Sequence, residues 1–199
     1  MISSSLDYLI RKPDIGGART RLSRPSVKSR PSRPATPIGS SSNIEKTEIP
    51  TITWDDFSAE PDTNSPWAAH TYWHIRYKYK ISFSKDKHNI KLDVTCQLKN
   101  NSWVKRKEDR LLAHERGHYL IGWICALEFK KRVKNAKLSK TNHSSEVQKI
   151  FQETLDEYLK WEILYDEETD HYKNISNQQK WDRAIARKLE QLRMYLEAP

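Results

Sequence analysis

The sequence has few cysteines and no segment typical of a membrane-spanning protein. Only two cysteines, Cys96 and Cys125, occur among 199 residues, which excludes a disulfide framework and does not force a single bond between them. We expect both to be buried thiols, because free cysteine is commonly a small core residue. No apolar run reaches the roughly 20 residues of a membrane span. The N terminus also lacks a secretory apolar region, since its best local run is Tyr8-Leu9-Ile10, so we expect a cytoplasmic protein or one exported by a non-Sec route.

Acidic residues are scarce near the N terminus, so the net charge of +9 is unevenly distributed. Residues 1–50 hold nine Lys and Arg against four Asp and Glu. Ser, Arg and Pro dominate residues 19–37, which predicts a disordered basic tail over residues 1–48, although a short helix is compatible with residues 5–11. A solvated segment, an export or loading address, an anchor on an acidic surface and an organelle transit peptide all suit this composition. The rest of the chain is only mildly basic and does not favour a nucleic-acid partner.

Residues 49–199 are predicted to form a single domain that begins with a β-hairpin. Apolar and polar side chains alternate over residues 71–83 and again over residues 90–98, with polar residues between them. A period of two is typical of half-buried strands. Two such strands joined by a short polar turn predict an antiparallel hairpin, and a shorter strand is expected near Ile52.

Three helices are predicted after the hairpin, because the apolar period changes to that of a helix. Ser102 or a neighbour could cap the first helix. Ser145 and Gln148 have the spacing of a capping box that opens the second, and Asn177 begins the third. The acidic segment 165–174 is predicted to be a loop. A hairpin followed by helices predicts an α+β domain.

The first predicted helix carries the sequence His114-Glu115-Arg116-Gly117-His118. Residues four apart share a helical face, so the imidazoles of His114 and His118 could converge on one zinc ion. Glu115 lies one step around the helix, where it could act as a general base on water beside that ion. Gly117 would leave room close to the metal. Such a pattern also arises by chance in roughly one chain in a hundred of this length, so structural or solvated histidines are the alternative.

A catalytic zinc site needs a third protein ligand and an open position. Glu128 is excluded because it lies about 15 Å beyond His118 along the same helix. His143 is a weaker candidate because it lies in a polar linker. His171 is better placed, because its segment lies between two helices that must fold back on the motif helix. Its acidic neighbours, Asp166 among them, could orient a ligating imidazole, and a solvated acidic loop is the alternative.

Distinctive blocks of sequence lie on both sides of the motif. They are Ile52-Thr53-Trp54-Asp55-Asp56-Phe57, Ala68-Ala69-His70-Thr71, Ser102-Trp103-Val104, Leu111-Leu112-Ala113-His114-Glu115-Arg116-Gly117-His118, Tyr165-Asp166-Glu167-Glu168-Thr169-Asp170-His171 and the Gln178/Trp181 helix. In these blocks, across about residues 52–196, the chain resembles a bacterial family of predicted secreted zinc-dependent proteases that is catalogued as a domain of unknown function.

The resemblance implies a zincin-like domain with Zn²⁺ bound by His114, His118 and His171, and with catalysis by Glu115. The family usually has glycine after the downstream histidine, where this chain has Tyr172. Glycine at such a position can supply a positive φ. Family members are usually secreted and their substrates are not settled, so the resemblance implies a reaction type and no cleavage specificity.

We therefore predict a zinc-dependent metallopeptidase that acts on a protein or peptide substrate. Tyr165, or alternatively Tyr172, could donate a hydrogen bond to the developing oxyanion, whereas a packed core aromatic is the alternative for Tyr165. Thr169 and Asp166 are expected to orient ligands. One hairpin strand could be a sheet edge that pairs with an extended peptide.

Three other functions are compatible with parts of the sequence. A non-catalytic zinc-stabilised binding module would use the same ligands without hydrolysis. A nucleic-acid or acidic-surface binder would act through the basic tail. A toxin or effector protease would use that tail to engage export or delivery machinery.

Overall fold

The protein has the predicted α+β architecture. The structure, a computed structural model, describes residues 2–9, 48–85 and 87–196, with the backbone alone for residues 2–9. The elements are β1 (Ile2–Leu9), β2 (Ala69–His70), β3 (Trp73–Ser84), β4 (Lys87–Leu98), β5 (Trp103–Val104), α1 (Asp109–Asn135), α2 (His143–Thr169), α3 (Ile175–Leu192) and single-turn 3-10 helices at Trp54–Asp56 and Arg193–Tyr195. Among these residues, none of the helices combines the length and apolarity that crossing a membrane requires.

The predicted hairpin is confirmed. Strands β3 and β4 pair antiparallel from Trp73 opposite Leu98 to Ser84 opposite Lys87, so both strands continue further into the polar stretch than expected. Alternate side chains of β3 are buried, as the period of two predicts; they are Trp73, Ile75, Tyr77, Tyr79 and Ile81.

The first described segment is a strand. β1 pairs antiparallel with β3, with Ile2 opposite Ile81 and Leu9 opposite His74, which gives the sheet order β1-β3-β4. The helix considered for residues 5–11 is therefore not formed by residues 5–9. The remainder of the predicted disordered tail, residues 10–47, lies outside the described residues. Because β1 covers one edge of β3, the edge considered for peptide pairing is occupied by the chain itself on that side.

Helix α1 is the centre of the fold and packs against β3, β4, α2 and α3. Every residue from Ile121 to Lys130 is buried, as expected for a helix surrounded by other elements. Its close approach to the sheet depends on Gly122, where a Cβ atom would lie 2.6 Å from the Trp73 ring and 2.8 Å from Cys96 Sγ. Cys96 and Cys125 are free and buried, as predicted, and burial raises the pKa of both thiols.

The predicted cap of the first helix is wrong. Helix α1 begins at Asp109, and Ser102 is fully buried before it. The Ser102 hydroxyl accepts a hydrogen bond from the Tyr72 backbone N–H (3.0 Å) and donates one to the Tyr72 carbonyl oxygen (3.2 Å). The next two residues then pair with β2 as strand β5. Ser102 therefore joins the two short strands to the start of the hairpin.

The second helix is longer than predicted at both ends. It begins at His143, with Asn142 rather than Ser145 at its N-cap position, and it continues to Thr169. The predicted acidic loop is therefore wrong over residues 165–169, which are helical. Tyr165, Asp166 and Thr169 contact His114 of α1, whereas Glu167 and Glu168 are exposed. Helix α3 begins at Ile175, and its N-cap Asn174 accepts a hydrogen bond from the Asn177 backbone N–H.

Candidate metal centre

Helices α1 and α2 bring a cluster of possible metal ligands together. His114 Nε2 and His118 Nε2 lie 3.1 Å apart. Asp166 Oδ1 lies 3.1 Å from the first nitrogen and 2.9 Å from the second, and 3.2 Å from His171 Nδ1. The ligand atoms of His114, Asp166 and His171 all lie within 4.8 Å of one another. The three predicted histidines therefore converge on one carboxylate oxygen.

The burial of these donors defines a closed side and an open side. The side chains of His114 and His118 are 2% and 0% exposed, whereas those of Asp166 and His171 are 15% and 30% exposed. The Trp67 ring packs on His171, with 3.9 Å between ring centroids. A small molecule that approaches the cluster from solvent would therefore come from the side of His171 and Trp67. Trp67 was not selected from the sequence.

A sharp reversal after α2 carries His171 to the cluster. Asp170, His171 and Tyr172 have φ values of 46°, 48° and 74°, and three successive non-glycine residues in the left-handed region are unusual. Tyr172 stands where the resembled family has glycine, and its positive φ accounts for that preference. Arg106 Nη2 donates a hydrogen bond to Tyr172 Oη (2.9 Å), which holds the reversal against the segment before α1.

Outer hydrogen bonds orient both motif histidines. His118 Nδ1 lies 2.8 Å from Glu162 Oε2, and His114 Nδ1 lies 3.1 Å from Gln178 Oε1. Each acceptor lies on the Nδ1 side of its ring and can take that N–H, so each Nε2 atom faces the cluster. Glu162 was not selected from the sequence, and Gln178 was quoted in a distinctive block without a role. Glu162 could have been found by continuing the helical spacing back from Asp166, which lies one turn later on α2.

The orientation of the Gln178 amide is fixed by its other contacts. Gln178 Nε2 donates to Asp182 Oδ1 (2.8 Å) and to Tyr165 Oη (2.6 Å), so Oε1 is the atom that faces His114. A chain of hydrogen bonds thus runs from α3 through Gln178 to the His114 ring.

Tyr165 packs against His114, as in the alternative to its predicted role as an oxyanion donor. Its side chain is fully buried, its ring stacks on the His114 ring at 4.6 Å, and its hydroxyl donates to the His114 carbonyl oxygen at 3.1 Å. Burial raises its pKa. Gly117 makes room for this tyrosine, because a Cβ atom there would lie 2.1 Å from Tyr165 Oη. The space expected beside a metal is therefore taken by Tyr165.

Glu115 is buried next to His114 in the same helix turn, and Thr71 donates a hydrogen bond to it. The residue is 3% exposed, and its Oε2 atom accepts a hydrogen bond of 2.5 Å from Thr71 Oγ1. Thr71 lies between β2 and β3, so the strand entry positions the carboxylate. Thr71 lies in one of the distinctive blocks of sequence, but its spacing from the motif predicts no role for it.

The other acidic residues of the downstream block do not orient the histidines as expected. Glu168 Oε2 accepts a hydrogen bond from Trp181 Nε1 (2.8 Å), and Glu167 and Asp170 are exposed. Thr169 is buried, and its hydroxyl donates to the Tyr165 carbonyl oxygen at 2.5 Å and lies 3.5 Å from His114 Nδ1. Thr169 therefore lies beside the His114 ring.

The chemistry of this cluster fits a zinc ion. Imidazole nitrogens and carboxylate oxygens are common zinc ligands, and histidines that bind zinc usually donate their other ring N–H to a carboxylate or carbonyl group. Glu162 and Gln178 fill those outer positions for His118 and His114.

Comparison with known proteins identifies a family but no characterised relative. Residues 44–172 match DUF922, which is described as a bacterial protein of unknown function. The match includes the motif helix and His171 and ends at Tyr172, before α3. No curated protein and no solved structure matches the chain significantly. Because the matched residues make up more than half of the sequence, the chain belongs to the DUF922 family of bacterial proteins of unknown function.

Proposed function

We propose that the protein is a zinc-dependent metallopeptidase with a zincin-like fold, in which His114, His118 and His171 hold Zn²⁺ and Glu115 is the general base. One observation carries the proposal. The Nε2 atoms of His114 and His118 lie 3.1 Å apart and are oriented by outer acceptors, and the buried Glu115 is adjacent in the same helix turn.

The part of Glu115 in the proposed reaction is proton transfer. Zinc in such a site lowers the pKa of water towards neutrality and polarises a substrate carbonyl. Glu115 would take the proton from water as the water oxygen attacks the peptide carbonyl carbon, and would return it to the amine as the C–N bond breaks. The hydrogen bond from Thr71 supports this role, because it holds the carboxylate in one direction before substrate binds.

Tyr172 replaces Tyr165 as the proposed oxyanion donor. The Tyr165 proton is used in a hydrogen bond to the His114 carbonyl oxygen. The Tyr172 hydroxyl instead accepts its hydrogen bond from Arg106, so its own proton is not used in that contact. Its ring centroid lies 6.4 Å from that of His114, close to the open side. A donor there could stabilise charge that develops on a substrate carbonyl oxygen.

A non-catalytic zinc-stabilised module is the second candidate, and the position of Asp166 favours it. Asp166 Oδ1 lies among the three imidazoles, and structural zinc sites are commonly closed by four protein ligands. The two candidates share every histidine, so peptide hydrolysis distinguishes them.

The test is peptide cleavage in three metal states. The purified protein is offered a broad peptide mixture as the zinc form, as the chelated form and after zinc is restored, and products are identified by mass spectrometry. We expect new termini with both zinc-containing forms and none after chelation. A protein that binds zinc, melts at a higher temperature with it and cleaves nothing would instead be the module.

A further inference from the structure

We infer that Asp166 is itself a metal ligand through Oδ1, and does not act as the orienting residue that its sequence context suggested. The inference rests on the proposed function, since it requires that a divalent ion binds at this cluster. It adds a carboxylate oxygen to the three histidines as a fourth protein donor, and the water of the proposed reaction would then be a fifth ligand, a coordination number that catalytic zinc can reach.

Asp166 contacts the His114 and His118 rings at the nitrogens that face the proposed metal. A carboxylate that orients a ligating histidine bonds the ring nitrogen that points away from the metal. Glu162 does this for His118, at Nδ1. Asp166 instead contacts Nε2 of both His114 and His118, at 3.1 and 2.9 Å. It therefore lies on the metal side of both rings.

The two buried rings also present the same atom to Asp166. Glu162 and the amide oxygen of Gln178 lie at hydrogen-bond distance from the two Nδ1 atoms. The two Nε2 atoms, 3.1 Å apart, therefore face each other and Oδ1 of Asp166. A cation among these three atoms would have a donor from each residue.

The spacing of the donors also suits a shared ion. Two ligands of a tetrahedral zinc ion with bonds of about 2.0–2.1 Å lie about 3.3 Å apart. Of the six distances among the four donors, four are 3.1, 3.1, 2.9 and 3.2 Å, and the ligand atoms of His114 and His171 lie within 4.8 Å of each other. Oδ1 of Asp166 takes part in three of these contacts, so it is the donor shared by the buried histidines and by His171.

Asp166 and His171 should therefore contribute unequally to zinc affinity. Asp166 lies on α2 and is 15% exposed, whereas His171 is 30% exposed and lies on the left-handed reversal. We expect the buried set of His114, His118 and Asp166 to provide most of the zinc affinity, with His171 as an outer ligand on the open side.

The experiment compares zinc affinity in four full-length proteins: wild type, Asp166→Asn, His171→Ala and the control Glu167→Gln. Glu167→Gln removes one negative charge from the same helix turn at an exposed position. Competition with a chelator should show a loss greater than about 100-fold for Asp166→Asn, beyond the 10–100-fold that is typical of an orienting partner. The loss for His171→Ala should be smaller, and the control should stay within about twofold of wild type. Substituted Co²⁺ should give a changed visible spectrum in Asp166→Asn.

Two results would overturn the inference in different ways. If Asp166→Asn kept wild-type zinc affinity and cobalt spectrum, the ligand assignment would be wrong and the proposed zinc site would stand. If wild type bound no zinc, both proposals would fail. A crystal structure of the zinc-loaded wild type tests the ligand assignment without a variant. A Zn–Oδ1 distance of about 2.0–2.2 Å supports the inference, and an Asp166 carboxylate outside coordination distance contradicts it.

Discussion

Glu115→Gln is expected to abolish peptide hydrolysis while zinc binding and the fold are retained. Glutamine has nearly the same shape, and its amide oxygen can still accept the hydrogen bond that Thr71 donates at 2.5 Å in the wild type. The amide cannot take a proton from water, however, and a positioned general base commonly contributes about 10²–10⁴-fold to the rate. The measurements are kcat/KM on a peptide found in the cleavage screen and zinc content of the same preparation.

Glu162→Gln is the matched control for the loss of peptide hydrolysis in Glu115→Gln. It also replaces a buried carboxylate with an amide, but Glu162 contacts Nδ1 of His118 on the outer side of the ring. We expect zinc affinity to fall by about 10–100-fold, with most activity recovered at saturating zinc. Activity of Glu115→Gln within about tenfold of wild type would show that another group is the base.

Gly117→Ala is expected to lower the free energy of unfolding, because it adds a methyl group where Tyr165 leaves no space. The new Cβ atom would lie 2.1 Å from Tyr165 Oη and 2.6 Å from Tyr165 Cζ. The tyrosine cannot withdraw easily, because it is fully buried and bonded to the His114 carbonyl and to Gln178. Overpacking of this kind costs about 1–3 kcal/mol or more, and displacement of the ring would also disturb His114. Urea unfolding and zinc affinity measure the two effects.

Helix propensity alone would make Gly117→Ala stabilising. Alanine is better than glycine in a helix interior by about 1 kcal/mol, so a net destabilisation must come from the contact with Tyr165. Adding Tyr165→Phe removes Oη, the nearest atom, and should restore part of the lost stability. A Gly117→Ala variant that unfolds at a higher urea concentration than wild type would contradict the described packing.

The parts of the fold that could be predicted are those with a strong local period. Alternation over the hairpin identified β3 and β4, because one face of each strand is buried. The spacing of His114 and His118 predicted a shared helical face, and their Nε2 atoms lie 3.1 Å apart. The need for a downstream donor led to His171, which lies beside Asp166 in the structure.

The remaining features depend on contacts that a local pattern does not show. Residues 165–169 were predicted as a loop because acidic residues are usually solvated, yet Asp166 and Thr169 face the histidines of α1. Thr71 and Gln178 acquire their roles from partners 44 and 64 residues away. The pairing of β1 with β3 is likewise long-range, since a polar segment of eight residues gives a weak strand signal by itself.

Metal binding by the motif histidines is tested by the zinc content of the purified protein, measured by elemental analysis beside the double variant His114→Ala/His118→Ala. We expect about one zinc ion per wild-type chain and almost none in the variant, because removal of two ligands leaves too few donors to hold the ion. A wild-type protein that takes up no zinc, or a variant that keeps a full equivalent, would contradict it.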